Sequence, residues 1–126
     1  MDHIMTVQTS KELVHQQCSP DEEGLTMIKR AGAAAQVKKL PGWRITHAGE
    51  RIRKDWVVKN FAAGLEFFDR VGQVAAKEGH HPDLHLEGFR NVWIELSTHA
   101  IGGLSNNDFI VAAKIDKLPI KRKTAK

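Results

Sequence analysis

Residues 60–79 are the stretch that most limits how this chain can fold. Asn60 is a residue type that caps helix starts, and Gly79 is the type favoured just past a helix end, with no proline between them. Phe61, Leu65, Phe68, Val71 and Ala75 recur at helical spacing, widened by Ala62, Phe67 and Val74, while Glu66, Arg70, Gln73 and Lys77 lie opposite. Burying the three phenylalanines and Leu65 contributes about 1.5–3 kcal/mol each, so this helix needs a broad apolar surface to lie on. Gly72 within it is expected to mark close packing.

The flanking segments supply that surface. Trp43–Val58 reads as a β-hairpin turning at His47-Ala48-Gly49-Glu50, with Ile52, Trp56 and Val58 alternating against Arg51, Arg53 and Asp55. Lys54 interrupts the apolar face, and its stem is expected to snorkel at the sheet edge. Asp83–Glu87 and Asn91–Ser97 form a second hairpin around Gly88, with Val92, Ile94 and Leu96 on one face and Trp93, Glu95 and Ser97 on the other.

Helices close both ends of the pattern. Ser19-Pro20-Asp21-Glu22 matches a helix start, with Ser19 as cap and Glu22 three residues on. Gly24 weakens that start, and Thr26 is a rival cap. Met27, Ile28, Ala31, Ala34, Ala35 and Val37 continue the stripe, which should stop before Leu40-Pro41-Gly42. The last helix runs from Asn106 to Lys117, capped by Ser105, with Phe109, Ala112, Ala113 and Ile115 inward. The predicted order is α-β-β-α-β-β-α. That is an α+β fold, one domain with a four-stranded antiparallel sheet and helices packed on one face. The domain spans residues 19–118, between a flexible N-terminal arm (1–18) and a basic C-terminal tail (119–126). The sheet face or edge left open favours self-association.

Charge is informative once located. The net +4 comes from Lys117, Lys121, Arg122, Lys123 and Lys126, crowded into the last ten residues without an aromatic neighbour. The rest is close to neutral, which argues against a nucleic-acid partner. Cys18 is the single cysteine, so no intrachain disulfide forms. With no secretory signal and no run approaching about 20 apolar residues, the reading is a soluble cytoplasmic protein without a membrane partner.

The chemistry concentrates between His80 and Asp108. Gly79 stops the helix and Pro82 forbids its continuation, so His80 and His81 sit where a helix hands over to a strand. His99 lies just past a strand end, before a Gly102-Gly103 loop, and pairing of the two hairpins would let the three histidines converge. An isolated histidine pair on a corner is often only tolerated surface, so the convergence carries the argument. Asp108 stands three residues after Ser105 and reads first as a capping residue. His85 sits at a rim or structural position, its side of the sheet open. Trp43 and Trp93 read more readily as core or sheet-face aromatics than as ligand platforms. Zinc is the competing use of several histidines and an acid. The spacing does not suit it: there is no HExxH, no cysteine cluster, and adjacent residues on extended chain point apart. Acid–base chemistry by imidazoles fits better, with no metal or cofactor.

These residues resemble the pterin-4a-carbinolamine dehydratase family. The likeness covers about Leu40 to Leu118, through Pro41-Gly42-Trp43, Phe67-Phe68-Asp69-Arg70-Val71, His80-His81-Pro82, Ser97-Thr98-His99 and Gly103-Leu104-Ser105-Asn106-Asn107-Asp108. The resemblance implies a small α+β enzyme, a homo-oligomer (tetramer or dimer), that eliminates water from 4a-hydroxytetrahydrobiopterin to give quinonoid dihydrobiopterin. It implies His80, His81 and His99 around the pterin, with Asp108, Pro82 and Trp43 binding or supporting. On that basis His80 and His99 are expected to move protons while His81 orients the ring; which gives and which takes stays open. Many relatives carry a glutamate where this chain has Ala76, and Glu78 lies on another side of the helix. Animal relatives also serve as dimerisation cofactors of a transcription factor. The alternatives are therefore an interaction protein or a pterin-binding assembly factor.

Overall fold

Alternation of side chains builds the sheet as the sequence predicts. The computed structural model describes residues 6–124. Its strands are β1 (Arg44–Thr46), β2 (Arg51–Val57), β3 (Asp83–Glu87) and β4 (Asn91–Leu96), all antiparallel, in the order β1-β2-β4-β3. Ile52 pairs with Leu96 and Trp56 with Val92, which puts one row of apolar side chains on the face that meets the helices. The other face carries Arg53, Trp93 and His85, the guanidinium and the imidazole each 4.7 Å from the indole. Lys54 lies between Ile52 and Trp56 on β2, an interior strand rather than a sheet edge. Its stem passes Trp56, and its ammonium pairs with Asp116 at 2.9 Å.

The helices are α1 (Ser10–Val14), α2 (Arg30–Val37), α3 (Phe61–Glu78) and α4 (Asn106–Asp116). α3 has the expected caps, Asn60 accepting from the Ala63 N–H and Gly79 left-handed at φ 68°. Its buried face, however, is Ala63, Gly64, Phe67, Val71 and Ala75. Phe61 and Leu65, expected in the core, are about half exposed, at 51% and 50%. The apolar arc of α3 is wider than the sheet covers, so packing rather than pattern selects its centre. Close approach occurs at Gly64, where a Cβ would meet Leu86 methyls at 3.2 Å, and not at Gly72, which faces open space.

α4 is buried on every side, Phe109 to Ala113 without a break. A helix apolar all round needs cover on all sides, and the N-terminal segment supplies part of it. The flexible arm expected at 1–18 is, from residue 6 onward, a packed segment. Thr9 and Glu12 form a reciprocal capping box at the start of α1, which lies against α4 with Leu13 fully buried. Gln8 exchanges two hydrogen bonds with the buried Gln36 side chain. The predicted helix at Ser19 reduces to a 3-10 turn, Glu22–Gly24, and α2 begins only at Arg30 because the Ile28 N–H is taken by the Leu104 carbonyl. Part of the basic tail is also tied down, the Lys123 N–H bonding to the Val57 carbonyl. Among the described residues no helix is long and apolar enough to cross a membrane.

Candidate active site

The left-handed Gly79 turns the chain out of α3 and sends the next two side chains opposite ways. His80 is 2% exposed and His81 is exposed. The His80 ring is gripped at both nitrogens: Nδ1–H donates to Glu22 Oε2 and Nε2–H to Asp108 Oδ1, each at 2.6 Å. Carboxylate oxygens at both ring nitrogens are both satisfied by the doubly protonated ring, so this geometry favours the imidazolium. Burial works against that charge. The hydrogen bond and charge of Asp108, followed by those of Glu22, outweigh it and raise the His80 pKa above its ordinary value.

Asp108 occupies the third position of α4 and performs the predicted capping. Its Oδ2 accepts from the Ser105 N–H at 3.0 Å and from Thr98 Oγ1–H at 2.8 Å, and Thr98 and Ser105 share a further 2.7 Å bond. Asp108, Thr98 and Ser105 are all fully buried. Thr98 leads directly into His99, and its N–H bonds to the Gly103 carbonyl at 2.8 Å, closing the loop that presents His99. A cavity of about 80 Å³ opens there, lined by Glu50, Arg51, Thr98, His99, Gly102 and Gly103. The chain from the half-buried Glu22 through the buried His80 and Asp108 therefore runs, by way of Thr98, into its wall.

Of the residues singled out in the sequence, His80 and Asp108 meet directly and His99 lines the adjoining cavity. His81 is exposed beside His80, and Pro82 is half-buried where the chain enters β3. Trp43 is not brought here. Its Nε1–H donates to Asp116 at 3.0 and 3.1 Å, and its ring packs edge-on against Trp56 in the core. Asp116 closes α4, about 12 Å along the axis from Asp108. His85 is stacked on Trp93 on the outer sheet face. Glu78 is turned to the N-terminal segment and α4, accepting from the Cys18 N–H at 2.9 Å and pairing with Lys114 at 2.6 Å. Ala76 is exposed on α3.

The sequence reading missed Glu22 and Thr98. Thr98 stands within the Ser97-Thr98-His99 match, whereas Glu22 reads in the sequence as the local partner of a Ser19 cap. Among the described residues no three His, Cys, Asp or Glu side chains are grouped to hold a metal ion. His80 has no free ring nitrogen to offer one.

Known proteins resemble this chain in sequence and in fold. The profile of the family described as Pterin 4 alpha carbinolamine dehydratase matches residues 26–118. The chain is 43% identical over 123 residues to Pterin-4-alpha-carbinolamine dehydratase 2, mitochondrial, of Arabidopsis thaliana, covering 91% of this chain and 66% of that protein. It is 41% identical over 110 residues to a Dechloromonas aromatica protein provisionally given the same enzyme name, covering 87% of this chain and 96% of that one. A crystal structure titled transcriptional coactivator/pterin dehydratase, from Brucella melitensis, superposes with a TM-score of 0.67 at 23% identity, over 72% of this chain and 96% of its own. At that identity the likeness speaks for the fold.

Proposed function

The chain belongs to the pterin 4 alpha carbinolamine dehydratase family, and from that membership we propose that it eliminates water from 4a-hydroxytetrahydrobiopterin. The product is quinonoid dihydrobiopterin, and the step returns to use a cofactor spent in aromatic hydroxylation. The observation that carries this reading is the His99-lined cavity backed by the Glu22–His80–Asp108 chain.

Two proton transfers are required. The C4a–O bond breaks with its electrons going to the oxygen, which must receive a proton to leave as water, and a ring N–H proton must be lost to complete the quinonoid system. An exposed imidazole on the cavity can perform such transfers near neutral pH. We assign one of them to His99, which lines the cavity, and the other to His81, which is exposed beside His80. This differs from the role expected of His80, whose two nitrogens are already committed to carboxylates. His80 instead serves as a fixed imidazolium that holds Asp108, and through it Thr98 and the His99 loop.

A stopped-flow assay of 4a-hydroxytetrahydropterin loss, with the uncatalysed rate subtracted, tests the reading. His99→Ala should lower the enzymatic rate by about 10²- to 10⁴-fold without unfolding the chain, since His99 is exposed. Wild-type protein that adds nothing to the background rate refutes the proposal. We further propose a cytoplasmic homo-oligomer, a tetramer or dimer, for which the exposed Phe61 and Leu65 on α3 offer an apolar contact.

A further inference from the structure

Glu22 lies ahead of the residues matched by the family profile, 26–118, on a segment that crosses the back of the site. Three contacts fix that segment. The Asn107 side chain clamps Ser19, accepting from its N–H at 2.9 Å and donating to its carbonyl at 3.0 Å. The Glu78 carboxylate accepts from the Cys18 N–H. Further on, Met27 covers Gly103 so closely that a Cβ there would meet its Cγ and Sδ at 3.1 Å. Between these anchors the chain makes a tight turn. Asp21 accepts from the Gly24 N–H, and any side chain at Gly24 would strike the Asp21 carboxylate, its Cβ only 2.4 Å away. The turn Glu22–Gly24 packs against the turn His99–Ile101, which presents the cavity histidine.

We propose that Glu22 is a positioning residue of the dehydratase: carried in by this N-terminal strap, its carboxylate fixes the orientation and charge of His80 from the side opposite Asp108. The inference rests on the dehydratase reading. The same Glu22 oxygen that accepts from His80 Nδ1–H also accepts from Asn107 Nδ2 at 3.1 Å, so its place is set independently of the histidine. With acceptors at both nitrogens the imidazole has neither a free tautomer nor a ring flip, and Asp108 is held to Thr98 behind the cavity. Glu22 from the strap and Asp108 from α4 are the charged groups that face this ring. Removing Glu22 leaves a buried Nδ1–H donor without its partner. The ring is then free to lose that proton, and its grip on Asp108 weakens. Partners that orient a metal-bound imidazole matter by about 10- to 100-fold in activity, and the same scale is expected for a partner that orients His80.

Glu22→Gln, Glu22→Asp and Glu22→Ala are compared with wild type by the stopped-flow assay, by circular dichroism, and by ¹⁵N NMR of the histidine rings across pH. Glu22→Gln should keep the fold and lower kcat about 10- to 100-fold, with KM within about threefold. Glu22→Asp should recover part of the loss. In Glu22→Gln the His80 ring should lose its proton at lower pH than in wild type. A Glu22→Gln protein with wild-type kcat and an unmoved His80 titration overturns the proposal, as does one in which KM alone rises. Wild-type protein without dehydratase activity would sink the parent reading only. The His80 titration would then still decide whether Glu22 sets the ring's charge.

Discussion

Asp108→Asn is the sharpest perturbation of the buried chain, because it changes one atom and removes one charge. Asp108 is fully buried and uses both oxygens, one for His80 and the other for Thr98 and the Ser105 N–H. An amide keeps a single oxygen. If that oxygen serves Thr98 and Ser105, an NH₂ group is forced against His80 Nε2–H, donor against donor. If it serves His80, the helix cap is lost. Breaking one partner of a buried, hydrogen-bonded ion pair costs about 3–5 kcal/mol. With a urea m-value of about 1.5 kcal/mol per M, a loss of about 3 kcal/mol lowers the unfolding midpoint by about 2 M. The loss has a pH signature. The His80 pKa is raised in the folded protein, so the stability its imidazolium contributes is complete below the unfolded histidine value of about 6.5 and disappears as pH climbs through the folded value. Urea titrations at fixed protein concentration, run at about pH 6 and about pH 9, should show a larger deficit for Asp108→Asn at the lower pH. A deficit under about 1 kcal/mol that is the same at both pH values would refute the charged-pair reasoning.

Leu13→Ala should destabilise the protein by about 2–5 kcal/mol, because Leu13 is fully buried against α4; a chemical-denaturation curve superimposable on wild type would mean that α1 does not hold. Replacing both Phe61 and Leu65 with lysine should leave the chain folded and shift light scattering from an oligomer towards 14.1 kDa. An unchanged assembly would place the contact elsewhere. Protein treated with a strong chelator and desalted should keep its dehydratase rate, since proton transfer by imidazoles calls for no Lewis acid. Activity lost on chelation and restored by one added metal would reverse that mechanism.

Local signals in the sequence determined a good deal. Alternation in 51–58 and 91–97 sorted the two faces of β2 and β4, because side chains on a strand have only two directions to take. Ser105 and Asp108 specified the start of α4, and Gly79 with Pro82 fixed where the histidine pair leaves α3, since caps and breakers act within a few residues. What lay beyond was decided by packing. Period-3.6 spacing marked α3 as amphipathic, but its apolar arc is wide, and only the sheet's reach selects Phe67 and Val71 while leaving Phe61 and Leu65 outside. Trp43 was legible as a core aromatic, but only the fold shows that its indole N–H ends on Asp116, 73 positions away in the chain. Glu22 shows the contest most directly. Locally it completes a cap with Ser19, worth about 1 kcal/mol, whereas across 58 residues it meets a buried imidazolium, a charge-assisted bond worth about 1.5–3 kcal/mol. The longer-range bond wins, the predicted helix shrinks to a single turn, and the carboxylate goes to His80.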